Sequence, residues 1–152
     1  MSYIAAEARQ ELLDTIAVSI DELATAIAAL GAAYELLDDN TADRLEEELF
    51  RPVQVAYGRA KRTYSGFASR FGLADRAFAP ATPGAPSHGV KGFVDEAVDA
   101  VGRADHVLSE LQDSMRPVEV GDPELRAGLA EVRELLGQLR GRARELVRTL
   151  GR

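Results

Sequence analysis

From Leu13 to Leu37 the apolar residues Leu13, Ile16, Ile20, Leu23, Ile27, Leu30, Tyr34 and Leu37 return at steps of three and four without a gap. That is the a/d rhythm of a helix that buries one narrow seam against other helices. The flanking e and g positions, Ala17, Ala24, Gly31, Ser19, Ala26 and Ala33, are small, so a neighbouring backbone can come close on either side. A first helix is predicted over about 3–37. The polar turn Asp38, Asp39 and Asn40 follows it, and Asn40 or Thr41 can cap the next helix. A connection this short forces an antiparallel hairpin.

The second helix, over about 41–71, has the seam Phe50, Val53, Tyr57, Ala60, Tyr64, Phe67 and Phe71. Before Pro52, the apolar residues Ala42, Leu45 and Leu49 run one residue out of phase with that seam. Proline lacks an amide hydrogen and clashes with the preceding turn, so a kink or short break near Arg51 accounts for the shift. Gly72 closes the helix where a left-handed residue is cheapest. The stretch 73–88 carries Pro80, Pro83, Gly84 and Pro86 and reads as a loop crossing one end of the molecule. A helical turn around Ala74 to Phe78 is expected within it, with Leu73 and Phe78 plugging that end.

A third helix, from His88 or Gly89 to about Met115, repeats the rhythm through Val90, Val94, Ala97, Val101, Ala104, Leu108, Leu111 and Met115. It must stop before Pro117. Asp122 followed by Pro123 is a start signal, a capping carboxylate and then a residue whose missing amide costs nothing at the first helical position. The fourth helix, about 123–150, carries Leu125, Leu129, Val132, Leu136, Leu139, Ala143, Leu146 and Leu150. These elements predict an all-α, single-domain, antiparallel four-helix bundle with coiled-coil-like packing, up-down-up-down connectivity and no strands.

Composition narrows the function mainly by exclusion. The 152 residues suffice for one domain, and the balance of 46% hydrophobic and 28% charged residues is that of a globular protein. With no cysteine, a disulfide framework, a thiolate metal site and a cysteine nucleophile are all ruled out. Glu7 and Glu11 stand where a secretory signal is basic and then apolar, and no long uncharged run suggests a membrane span, so a cytoplasmic location is expected.

Candidate chemistry is sparse. Di-iron bundles need inward Glu and Glu-x-x-His pairs, whereas this chain has only His88, at a loop boundary, and His106, at a solvent-facing f position with Glu110 one turn on. Asp95, Glu96 and Asp99 have the spacing by which all-α pyrophosphatases hold magnesium, but they fall on the outward b, c and f positions and the preceding helix offers arginines instead of a second acidic pair. A magnesium-dependent hydrolase is therefore the weakest of the readings. Glu46, Glu47 and Glu48 are explained by the positive end of a helix dipole. Gly58, Gly66 and Gly72 are isolated and form no phosphate loop, although Gly66 can relieve crowding beside Phe67. No catalytic, cofactor-binding or metal-binding residue is assigned, and no cofactor.

Charge layout is more informative. Residues 1–50 hold twelve acidic and two basic side chains, while Arg51, Arg59, Lys61, Arg62, Arg70 and Arg76 follow, and the final helix adds Arg140, Arg142, Arg144, Arg148 and Arg152. Since the second and fourth helices end at the same pole in this topology, Arg59, Lys61, Arg62, Arg70, Arg76, Arg140, Arg144 and Arg148 are expected to form a basic patch there, with the Asp38 to Glu48 turn making the opposite pole acidic. Helix-dipole complementarity explains much of this, and docking of an acidic protein or an anionic ligand is the functional alternative. A net charge of −7 disfavours general nucleic-acid binding. Arg126, Arg133 and Arg140 recur at the e position of the fourth helix, poised to pair with acidic neighbours inside the bundle or across a dimer.

The leading expectation is thus a non-enzymatic bundle that works through protein–protein contacts or as a homodimer. The alternative is a small-molecule or lipid carrier whose cavity is lined by Tyr57, Tyr64, Phe67 and Phe71.

Overall fold

The computed structural model describes residues 2–85 and 89–150, with the side chains of Ser2, Tyr3 and Leu150 left aside. Pro86, His88 and Arg152 lie outside the described residues, and so do the expectations placed on them. The chain forms α1 (Ser2–Glu35), α2 (Asp39–Leu45), a π turn (Glu46–Phe50), α3 (Arg51–Arg70), α4 (Gly89–Asp113), the single turn α5 (Arg116–Glu119) and α6 (Pro123–Leu150). No strand occurs among the described residues, and the long helices pack as a helical bundle.

The a/d seams supply most of the interior. Leu13, Ile16, Ile20, Leu23 and Leu30 of α1 are at most 1% exposed, as are Leu108, Leu125 and Leu136. Each such side chain withdrawn from water contributes about 1.5–3 kcal/mol before entropy is counted. Of the small flanking positions of α1, Ala17, Ser19, Ala24, Ala26 and Ala33 are buried too, as are Ala97, Ala100 and Ala104 of α4. Without bulk between the two helices, the buried Ser19 Oγ donates a hydrogen bond of 3.0 Å straight to the Ala104 carbonyl.

By length and composition α1 could cross a bilayer: the most apolar 18-residue window within Ile4–Glu35 has a mean hydropathy of 1.6, but 56% of that window is buried against the rest of the protein. A bundle's central helix has the same character.

The register change before Pro52 is accommodated by the π turn. Arg51 keeps right-handed helical angles, and its amide reaches back five residues to the Glu46 carbonyl. One extra residue is thereby absorbed, so Leu45 and Leu49 join Val53, Ala56 and Ala60 on one buried stripe. Proline drives this placement, since its missing amide already breaks the regular ladder one turn on. Asp38, instead of Asn40 or Thr41, stands at the position that precedes this segment, and α2 begins at Asp39.

The ends of α3 and α6 follow their local signals. Gly72 takes φ +65°, with the Gly72 amide bonded to the Ser69 carbonyl and the Leu73 amide to the Ala68 carbonyl, the pairing that satisfies a helix C-terminus. Asp122 Oδ1 accepts from the Leu125 amide at 2.8 Å and so caps α6. Met115 departs from its expected place on the third seam. It lies beyond α4 at φ +67° and is 50% exposed, because the chain must reverse there to set the buried Pro117 in α5.

The predicted connectivity also requires correction. Along α1 and the α4–α5 segment, Glu22 meets Arg103, Ser19 meets Ala104 and Glu11 meets Arg116, so numbers rise in one as they fall in the other. Along α3 and α6, Arg59 meets Glu131, and Arg70 at the end of α3 meets Asp122 at the start of α6. Tyr34 packs on Phe50 and Arg9 on Phe71, which sets α3 against α1 in the same antiparallel sense. Helices α3 and α6 therefore run in opposite directions, where an up-down-up-down order makes them parallel. The order is up, down, down, up. Its cause is residues 71–85, which contain no helix, including at Ala74 to Phe78. They run lengthwise along α3 as a strap: Asp75 accepts from Ser65, Phe78 packs edge-on to Tyr64 at 5.2 Å, and Pro80 and Ala81 border one cleft with Gln54 and Ala28.

Candidate functional site

This topology separates the eight residues of the predicted basic patch. Arg70 lies at the end of the bundle where α6 begins, whereas Arg140, Arg144 and Arg148 lie towards the other end of α6. A single basic pole is not formed. Most of the cations also find local partners. Arg59 donates to Glu131 at 2.7 Å and to Thr63 Oγ1 at 3.1 Å. Arg70 binds Asp122 and Glu124, Arg76 binds Asp21 at 3.1 Å, Arg140 binds Asp105 at 3.3 Å, and Arg148 lies 3.8 Å from Glu145. Arg70 folds across Gly66, where a Cβ would stand 3.0 Å from its Nη1, so that glycine makes room for the guanidinium and not for Phe67. The Arg70 guanidinium beside Asp122 holds that carboxyl below the usual carboxylate range, helped by the Leu125 amide. Among the described residues no ion pair is seen for Lys61, Arg62 or Arg144.

The aromatic stripe fills its own space. Phe67 is fully buried and packs on Phe71 with ring centroids 4.7 Å apart, and Phe71 carries the Arg9 guanidinium 4.1 Å above its ring. Tyr64 is 3% exposed and covered by Phe78 of the strap. Burial raises the phenol pKa of both Tyr64 and Tyr57. Tyr57 borders an open space, a cleft of about 370 Å³ between α1, α3 and the strap. A much smaller space of about 20 Å³ lies elsewhere, between Leu30, Leu49, Val53, Ala97 and Leu139 beside the π turn, and has room for a water-sized guest only.

Sequence reasoning passed over three features. Asp105 is 6% exposed, and its carboxylate accepts from Arg133 at 3.0 Å while Gln112 holds the other side of that guanidinium at 2.9 Å. The seven-residue arginine repeat was the available signal: two of its members, Arg133 and Arg140, converge on Asp105, and Arg126 instead donates to the Pro117 carbonyl. Thr63 is buried where α3 touches α6, and a Cβ at Gly128 would come within 2.3 Å of its Oγ1. Nothing in a one-dimensional pattern pairs those two positions.

The third feature is an open groove over the outer face of α4. One part, of about 810 Å³, is bordered by Val18, Val98, Gly102, Arg103, His106 and Arg144. A second, of about 620 Å³, continues it past Val18 and Val107 to Asp14, Glu110 and Arg116. Val18 is 51% exposed although it lies in the middle of the long apolar helix.

His106 faces solvent and sits 2.7 Å from Glu110. Asp95 and Asp99 are exposed and Glu96 is half-buried. Among the described residues no three His, Asp or Glu side chains converge to hold a metal ion. Compared with protein-family models, with curated proteins and with solved structures, the chain finds no match.

Proposed function

We propose that this protein is a non-enzymatic antiparallel four-helix bundle that bends at its π turn and acts through contacts, its partner being a second copy of the same chain. The observation that supports this reading is the groove over α4, where Val18 is exposed in mid-helix and is flanked by the half-buried Val98 and Val107. An exposed valine between two half-buried ones, on the facing surfaces of two helices, marks an association surface better than it marks an active site. Both signs of charge line the groove, Glu22 and Asp99 beside Arg103 and Arg144 in one part and Asp14 and Glu110 beside Arg116 in the other, so a copy laid across it by a two-fold axis can set unlike charges together. The proposed location is the cytoplasm.

Light scattering on purified protein from about 1 μM to about 1 mM, the upper limit corresponding to an association of roughly 4 kcal/mol, tests the reading. A mass rising from one chain to two is expected, and Val18→Asp is expected to keep the helical spectrum and hold the protein at one chain. A single-chain mass throughout that range would remove self-association as the mode of action.

A further inference from the structure

We infer that the strap and α3 enclose a binding site for an amphiphilic anion, a phosphate or carboxylate head on one aromatic or short apolar body. The inference stands on observations separate from the α4 groove, since the two features lie on different faces of the bundle.

Two open clefts meet at Gly58 and Lys61. The apolar one, of about 370 Å³, is bounded by Ile27 and Ala28 of α1, Tyr57 of α3, and Pro80 and Ala81 of the strap. The cationic one, of about 450 Å³, is bounded by Lys61, Arg62 and Ser65 of α3 and by Arg76 and Phe78 of the strap. Each falls in the range of small-molecule sites. Their shared floor has no side chain at Gly58, where a Cβ would already stand 3.4 Å from Arg62 Nη1. Any larger residue would build a wall between the halves.

The walls are tied down. Ser65 donates to Asp75 at 2.8 Å, Arg76 binds Asp21, and Phe78 packs edge-on to Tyr64 while Arg76 lies 4.7 Å over the Phe78 ring. Residues 75–78 are thereby fixed against α3, and the cleft does not depend on ligand to form.

The charges point to an anion. Asp21 neutralises Arg76, whereas Lys61 and Arg62 have no carboxylate partner among the described residues, in a chain with a net charge of −7. Lys61 is set at the boundary, its Nζ 4.3 Å from the Tyr57 ring centroid, which holds the ammonium over the apolar half. A head group there would be met by Lys61 and by the forked guanidinium of Arg62, with its body on Tyr57, Ile27 and Pro80.

Amide NMR titration with phenyl phosphate, benzoate, inorganic phosphate and phenol tests this. Saturable shifts at Tyr57, Gly58, Lys61 and Arg62 are expected with phenyl phosphate or benzoate, and the stronger of the two identifies the head group. Inorganic phosphate and phenol are each expected to bind at least tenfold more weakly, because each engages one half. Lys61→Glu with Arg62→Glu is expected to weaken binding tenfold or more, and Gly58→Leu, which favours the helix while filling the junction, is expected to do the same. No saturable shift at these amides would overturn the proposal. So would inorganic phosphate binding as tightly as phenyl phosphate, or undiminished binding by both variants.

Discussion

Arg70, the last residue of α3, donates two hydrogen bonds of 2.6 and 2.9 Å to Asp122, the residue that caps the start of α6. This contact joins the end of one helix to the beginning of another and so states the topology in two side chains. The alternative order would set Arg70 near the arginines that close α6, and the observed one keeps those like charges a bundle length apart. Spin labels at Ser69 and Glu124 should therefore report a short distance, and labels at Ser69 and Thr149 a separation of about 38 Å along the axis. The reverse result would restore the up-down-up-down order. The absence of native cysteines makes both pairs straightforward to prepare.

The same contact carries a pH dependence. The Asp122 carboxyl is depressed in the folded protein, so its contribution is complete above the unfolded carboxylate pKa of about 3.9 and is lost as pH falls through the lower folded value. Asp122→Asn keeps a capping oxygen but loses the charge, and at pH 7 it should cost about 0.5–1.5 kcal/mol, the side chains being only partly screened by solvent. Denaturation across pH should show that difference steady above about pH 5 and shrinking towards acid.

Gly128 is required by Thr63. Replacement by alanine would place a methyl 2.3 Å from Thr63 Oγ1 and 2.8 Å from Cγ2, so Gly128→Ala should destabilise by about 1–3 kcal/mol despite a gain in helix propensity of about 1 kcal/mol. Combining it with Thr63→Ala should recover much of the loss in a double-mutant cycle. Gly137→Ala meets no atom within 4 Å and should stabilise by about 0.5–1 kcal/mol.

Asp105 holds two arginines from α6 while almost fully buried itself. Asp105→Ala leaves the inner donors of Arg133 without their acceptor, and chemical denaturation should show a loss of about 1–3 kcal/mol, moderated because both arginines reach water.

Met115 adopts a left-handed conformation that a side chain tolerates poorly, and its own side chain is half exposed. Met115→Gly removes a strain of about 1 kcal/mol and returns part of it as unfolded-state entropy. A melting temperature raised, or at least not lowered, is the expected outcome, and a clear drop would mean that Met115 contributes buried contact.

Helix positions were legible because each depends on neighbours in sequence. The seams through Leu13–Leu30 and Leu125–Leu146 follow a 3.6-residue period, Asp122–Pro123 announces a start, and Gly72 a stop. His106 was placed in solvent by counting from the seam. The site was read less well. Arg59, Arg70 and Arg76 are cations in any arrangement, but whether they form a patch depends on where α6 lies, and the aromatic stripe could be called a cavity wall or a filled core until Phe78 was located over Tyr64.

What the amino-acid sequence determined by itself is the set of helices, their buried stripes and the antiparallel pairing across the short turn at Asp38. Only the tertiary structure decided which way α4 runs. The linker of residues 71–88 can span about 60 Å when extended, and α3 is about 30 Å long, so the chain can turn back at once or travel the full length before restarting. Close packing of small residues between α1 and α4, the fit of Gly128 to Thr63, and the pairing of Arg70 with Asp122 settle that choice, and all three join residues distant in sequence.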